Sequence, residues 1–331
     1  MTRYGILLVF SYHGTLSKSG TPAPLLGMEN DIIKSYHMST KSYGIPRNNI
    51  TIITDIRSKN SSFPWEKYKE GPKVIKLPYP SINSITEAII QTMNNIQKEE
   101  VKNNSKAELF VYYSGHGMLH PLPIKNYTND NISSLILVDS TGKERRYLTR
   151  RELTNLFYSL YQPDQLGMLA IPVLERKSLP GLNITNLIYE LTYIMVDTRS
   201  EGIIKNKNIN VFFMYDACHS ASLSGLRFRY MNNNSFEEIH DENIELPLSV
   251  GISATNDKQE APSCTDGSPF TSQIYDMFEK RIWNDDNINV INLHTKIHQY
   301  LHPILRKKCY PTVNISMPDL KVKAPIISSV N

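Results

Sequence analysis

Cysteine is scarce in this chain: Cys218, Cys264 and Cys309 are the only three in 331 residues. So small and odd a number excludes a disulfide framework, and the lack of any CxxC pair excludes the common structural zinc sites. A reducing compartment fits this usage, and the chain reads as cytosolic. Long apolar runs are also missing. No stretch approaches the about 18–20 residues of a membrane span. The opening run, Gly5 to Phe10, is too short for a secretory signal and has no small-residue cleavage site after it. Nor does charge of one sign dominate. Lys and Arg number 36 against 32 Asp and Glu, and the net +4 is spread along the chain. Nucleic-acid binding, which shows as a concentrated basic face, is not indicated. The sequence contains no internal repeat.

What is present is an ordinary hydrophobic fraction, 40%, in a chain long enough to bury about three quarters of its unfolded surface. Short apolar runs alternate with helical patterns, which predicts a doubly wound α/β architecture with a mostly parallel central sheet. Strands are expected at Ile6 to Ser11, Asn49 to Thr54, Ala107 to Ser114, Leu135 to Asp139, from Val211 to Asp216, Leu248 to Ala254 and Thr312 to Ser316. Helices are expected after the lead-in Leu25 to Asp31 as far as about Tyr43, from Ser81 past Ile96, and over Leu148 to Tyr161, Pro269 to Trp283 and Val290 to Leu305. Arg57 to Pro80, rich in proline and polar residues, reads as loop. Residues 162–208 read as an inserted excursion with a helical pattern around Leu187, Leu191 and Ile194. The polar stretch at 226–246 reads as an exposed linker. It divides a larger part, 1–225, from a smaller one, 247–331, within one domain spanning 1–331.

Two of these strands end in chemistry. Val211-Phe212-Phe213-Met214-Tyr215 runs into Asp216-Ala217-Cys218-His219-Ser220. Leu109-Phe110-Val111-Tyr112-Tyr113 runs into Ser114-Gly115-His116-Gly117. A parallel strand delivers whatever follows it to the carboxyl edge of the sheet, where such folds place their sites. Side by side, the two strands bring His116 next to Cys218. A cysteine attacks as thiolate, and a neighbouring imidazole both lowers the thiol pKa and hands a proton to the leaving amine. Glycine on both sides of His116 lets the chain turn sharply, and the amides of Gly117 and Cys218 are suited to an oxyanion hole. Alone, a buried cysteine is usually a small hydrophobe. Two strand-end signals in one chain favour the nucleophile.

Tyr113-Ser114-Gly115-His116-Gly117 and Asp216-Ala217-Cys218-His219-Ser220 resemble the two catalytic signatures of the metacaspases, within the caspase-like cysteine peptidases. Further segments resemble the family in family order: Leu26-Gly27-Met28-Glu29-Asn30-Asp31, Asn49 to Asp55, Val250 to Ala254 with Asp257 to Ala261, and Gly267 to Thr271. The resemblance implies a three-layer α/β/α caspase-like fold and a Cys218–His116 dyad hydrolysing peptide bonds after arginine or lysine. It also implies a specificity pocket of Asp31, Ser114 and Asp216. Two carboxylates with a hydroxyl beside them suit a guanidinium, whereas a pocket for aspartate would need convergent arginines. Alone, Asp31 would read as an acid on a helix N-terminus; with Asp216 it reads as pocket.

The chain departs from the family pattern at Met28, Ala217 and Ala221, none of which removes a reacting group. No cofactor is required. Calcium, which many metacaspases use, prefers six or more oxygens with several carboxylates. Here its acidic ligands are poorly matched: the loop after His116 offers only Asp130 before Asp139, and no Asp lies between His219 and His240. Arg227 and Arg229 stand where family members cut themselves, and so are candidates for self-cleavage. His294, His298 and His302 recur at helical spacing with no acidic partner as in HExxH, so a solvated helix flank is the better reading and no metal site is assigned. The expected partners are proteins or peptides with basic residues at the cleaved bond, with neither nucleic acid nor membrane; a monomer follows by analogy. A catalytically weak or inactive caspase-like scaffold is the main rival. A legumain-like or transamidase enzyme is the other, and His219 directly after the cysteine speaks against it.

Overall fold

The computed structural model describes residues 1–15, 22–57, 63–103, 106–120, 132–158, 168–177, 188–197, 209–231, 234–239, 246–280, 289–305 and 310–319. In chain order they form β1 (Thr2–Val9), α1 (Met28–His37), β2 (Ile50–Thr54), β3 (Lys73–Lys76), α2 (Ile82–Asn103) and β4 (Ala107–Ser114). Then come β5 (Gly117–His120), β6 (Ile132–Val138), β7 (Arg145–Thr149), α3 (Arg150–Phe157), β8 (Met168–Lys177) and β9 (Ile188–Asp197). The remainder is β10 (Ile209–Asp216), β11 (Phe228–Met231), β12 (Ser235–Glu238), β13 (Ser249–Ser253), α4 (Pro269–Glu279), α5 (Val290–Leu305) and β14 (Thr312–Ile315).

The main sheet has nine strands in the order β12-β11-β14-β13-β10-β4-β1-β2-β3. From β13 to β3 the pairings are parallel, while β14, β11 and β12 close the other edge antiparallel. β4 is buried along its whole length and β10 nearly so, as expected of central parallel strands covered on both faces. Alternate residues of each strand feed two cores. Leu7, Val9, Phe110, Tyr112, Phe212 and Met214 pack with α1, α4 and α5. Ile6, Leu8, Leu109, Val111, Val211 and Phe213 pack with α2 and α3. The architecture is therefore α/β/α with a mostly parallel central sheet. Among the described residues no helix is long and apolar enough to cross a membrane.

A second sheet of five antiparallel strands, β5-β6-β7-β8-β9, begins at Gly117, directly after the histidine that follows β4. It corrects several expectations. The pattern at Leu191 and Ile194 is strand, not helix: β9 pairs along its length with β8. A mostly apolar segment satisfies a helical template by default, and its β-branched and aromatic content, Ile188, Tyr189, Thr192, Tyr193 and Val196, is the better guide. Leu187 lies outside the described residues. Leu148, expected in a helix, belongs to β7, and the helix begins at Arg150. Within Arg57 to Pro80, Lys73–Lys76 forms a half-exposed edge strand on β2. The linker expected to be exposed contains β11 and β12, which extend the main sheet, and its Tyr230 is buried.

Candidate active site

The chain runs from β1 outward to β2 on one side and then crosses to β4 on the other. That reversal opens a crevice at the carboxyl ends of the strands, the usual ligand position in such sheets. Ser114 and Asp216 are directly paired as the last residues of β4 and β10. His116 and Cys218 each follow two residues later, off neighbouring strand ends. The approach is close at Gly117, where a Cβ would lie 2.1 Å from the Cys218 carbonyl oxygen. Only glycine fits there.

Ser114 and Asp216 share the face that carries Phe110, Tyr112, Phe212 and Met214, the face covered by α1 and α4. Asp31, in the first turn of α1, meets them there. Ser114 Oγ donates to Asp31 Oδ2 at 3.1 Å, and the Ser268 N–H donates to Asp31 Oδ1 at 2.8 Å. The Thr271 hydroxyl donates to Asp216 Oδ2 at 2.5 Å, with the Thr271 N–H at 3.3 Å. Ser268 and Thr271 sit at the start of α4, where Ser268 caps the helix by accepting from the Phe270 N–H and Pro269 fills the first turn. Asp31 is 0% exposed and Asp216 4%. Burial, and then the charge of Asp216, push the Asp31 carboxyl up to about 7. Burial likewise raises Asp216. These are two like charges out of water, and the charge of Lys34 offsets that of Asp31 only in part.

The histidine is held by its backbone as much as by its ring. Its N–H donates to the Tyr12 hydroxyl at 3.2 Å, and its carbonyl accepts from the Tyr113 hydroxyl at 2.8 Å. The Tyr12 hydroxyl itself donates to Ile136 O at 2.7 Å. Tyr12 follows β1 in a left-handed conformation, φ 60°, unusual for a bulky residue. The buried Asp55 carboxylate stabilises it, accepting from the N–H groups of Ser11 at 2.6 Å and Tyr12 at 2.7 Å. The ring of His116 lies 4.7 Å from that of Tyr12, and its Nε2 meets Ala23 O at 2.7 Å. A carbonyl can only accept, so Nε2 carries the proton and the neutral ring keeps Nδ1 basic. Burial holds the imidazole pKa below its usual value, aided by the charge of Arg145, while the Ala23 bond opposes.

Cys218 Sγ accepts from the Ala261 N–H at 3.3 Å. Burial raises the thiol pKa, and the acids Glu260 and Asp216 add to it. The resting thiol is thus neutral. His219 takes φ 54°, held by its N–H donating to Gln259 O at 2.8 Å and by Nδ1 at 2.9 Å from Asp257 O. The Asp257 carboxylate ties this turn down through the Ser222 N–H, the Ser222 hydroxyl and the Arg229 guanidinium, the last at 2.7 Å.

The candidate residues are thus gathered in one place, except two. Arg229 lies inside β11, paired on both sides, with its guanidinium against Asp257 and Glu237. Arg227 just precedes it, in an ion pair with Glu238. A strand paired on both sides cannot enter a protease cleft without leaving its sheet. His294 is not on a solvated flank: it is 8% exposed against Tyr230 and His298, and burial lowers its pKa to about 4. The side chain of His302, like Asp130 and His240, lies outside the described residues. Among the described residues no three His, Cys, Asp or Glu side chains are grouped to hold a metal ion.

Tyr12, Asp55, Thr271 and the anchoring role of Asp257 were not read from the sequence as site residues. The available signal was positional: Tyr12 and Asp55 follow β1 and β2 at the same carboxyl edge as His116.

No protein-family model matches the chain, and no curated protein is similar to it in sequence. Among solved structures, the crystal structure of a protein from Geobacter sulfurreducens is similar with a TM-score of 0.50 at 12% identity, covering 98% of this chain and 98% of that one. Caspase-1 from Spodoptera frugiperda aligns with a TM-score of 0.40 at 10% identity, over 95% of this chain and 86% of that one. At 12% identity the first likeness is one of fold alone.

Proposed function

We propose that the protein is a caspase-like cysteine endopeptidase, similar to the metacaspases, that cleaves after arginine or lysine. One observation carries this reading: the register pairing Ser114 with Asp216 sets a buried acid pocket and a Cys–His pair two residues apart on the same strand ends. A substrate guanidinium or ammonium entering between Asp31 and Asp216 supplies a cation to both acids, which Lys34 only partly offsets, and is matched by charge-assisted hydrogen bonds. The scissile carbonyl then lies over Cys218. The thiol proton passes to His116, Sγ bonds to the carbonyl carbon, and the amides of Gly117 and Cys218 face the developing oxyanion. His116 returns the proton to the leaving amine as the C–N bond breaks. Water, activated by the same imidazole, releases the acyl group.

The rival reading is an inactive scaffold, and the raised thiol pKa of Cys218 favours it. Fluorogenic peptides ending in Arg, Lys, Asp or Asn, each with and without calcium and with Cys218→Ala as control, separate the two. Arginine and lysine cleavage that disappears in the variant is the expected result. Silence on all four peptides from folded protein supports the scaffold instead. Cleavage after Asn alone supports the legumain-like alternative.

A further inference from the structure

Beyond the acid pocket the sheet edge holds a cavity of about 820 Å³ that the peptidase chemistry above does not use. We propose that it is the subsite for the released half of the substrate, seating a bulky apolar side chain immediately after the cleaved bond. This rests on the peptidase reading.

The position follows from the strand order. Along the edge β10, β4, β1, β2 and β3 succeed one another, so the residues after them read Cys218, His116, Tyr12, Asp55 and Pro78. The cavity spans the last three strands, lined by Ser11 after β1, Asp55 after β2, and Pro78 and Tyr79 after β3. It therefore lies on the far side of His116 from Cys218. In the acyl-transfer step Cys218 Sγ bonds the carbonyl carbon, and the imidazole delivers the thiol proton to the departing nitrogen. The segment bearing that nitrogen must leave on the histidine side, toward the cavity.

Two contacts tie the wall of the cavity to the site. Ala23, whose carbonyl meets His116 Nε2, lies two residues before Leu25, which lines the wall and is fixed by its N–H donating to Ser11 O at 2.8 Å. Met28 lines the same wall, while the Ser114 hydroxyl reaches its sulfur at 3.5 Å. One wall thus serves both the acid pocket and the cavity. The lining also carries His13, Glu29, Asp55 and Arg57, and the apolar part of the occupant follows from Leu25, Leu26, Ile56 and Tyr79. Leu26, 55% exposed, otherwise leaves that surface to water. The volume falls within the range of about 300–1,000 Å³ common to ligand pockets.

The test uses the full chain and internally quenched peptides with the same arginine-ending acyl half and either Leu-Leu or Gly-Gly after the bond. A coumarylamide of that acyl half, which carries no such residues, reports the peptidase itself. The leucine peptide is expected to exceed the glycine peptide about tenfold in kcat/KM. Leu26→Glu, at an exposed position that the fold tolerates, is expected to bring that ratio close to one; Tyr79→Ala should act in the same direction. Equal cleavage of both peptides by the unmodified protein overturns the subsite, as does a ratio that survives both substitutions. A protein that cleaves neither peptide nor the coumarylamide overturns the underlying peptidase reading instead.

Discussion

Two pairs of ionisable groups share one edge of the main sheet and are built in opposite ways. Asp31 and Asp216 are fixed through their side chains by donors from Ser114, Ser268 and Thr271, yet their charge is unbalanced and both carboxyls are raised. His116 and Cys218 are less deeply buried and are held largely through backbone. Burial drives both toward neutrality, the imidazole down and the thiol up. The acid pair thus has settled geometry and unsettled charge, and the Cys–His pair has settled charge and waits on a proton transfer. On the proposed function, one visitor resolves both: a basic side chain neutralises the pocket and sets a carbonyl over the thiol.

Substitutions test that contrast. Cys218→Ala should reduce kcat on arginine peptides by at least about 10⁴-fold, while titration calorimetry still detects binding of an arginine peptide, because the pocket is separate from the nucleophile. Asp216→Asn should cost about 2–5 kcal/mol of transition-state binding for arginine, the range for truncating a buried charge pair. The same variant should melt at a higher temperature than the parent at pH 8, since one of two like buried charges is gone. Loss of activity together with loss of stability would contradict the strained-pocket account.

Asp31 makes the contrast pH-dependent. Its pKa rises from 3.8 to about 7 on folding, so the folded chain keeps a proton that the unfolded chain releases above about pH 4. Its contribution to stability is complete below about pH 4, declines as pH rises toward 7, and is lost above that. Urea unfolding from pH 4 to 8 should show this slope in the parent and a shallower one in Asp31→Asn, where the raised carboxyls of Asp216 and Asp55 remain. Binding of an arginine peptide should correspondingly tighten through pH 7 with release of a proton, measurable in buffers of different ionisation enthalpy. The smallest effect concerns the other pair. Tyr12→Phe leaves the His116 N–H without its acceptor, at a cost of about 1–3 kcal/mol in stability, and should lower kcat several-fold with KM unchanged.

The central strands and the strand-end residues were legible because both signals are local. β4 and β10 are unbroken buried runs, and Ser114, His116, Asp216 and Cys218 simply continue them. The α/β class with a mostly parallel sheet followed from the same runs. Asp31 needed the resemblance to a family, since a first-turn acid is ambiguous alone. Of the second sheet only β6 was legible, as the apolar run at Leu135 to Asp139. β7 opens with Arg145 and Arg146, and at the edge of the main sheet β3 is half-exposed with lysine at both ends, so neither shows an apolar run. β9 shows one that fits two periods. The support of His116 was hidden for another reason. Asp55 acts on Tyr12 across 43 residues of sequence, through a left-handed backbone that no local pattern announces.

The two phenols that grip the backbone of His116 are themselves buried, and burial holds the hydroxyls of Tyr12 and Tyr113 far above the ordinary tyrosine range. They keep their protons throughout the span in which an imidazole, a thiol or a strained carboxyl titrates. The hydroxyl contacts under the histidine therefore do not titrate with it, and the acid sensitivity of this support rests on the Asp55 carboxylate that anchors Tyr12, which burial raises. A bell in the pH–rate profile is then read as the ionisation of the reacting and recognising groups and of Asp55, with no contribution from the two phenols.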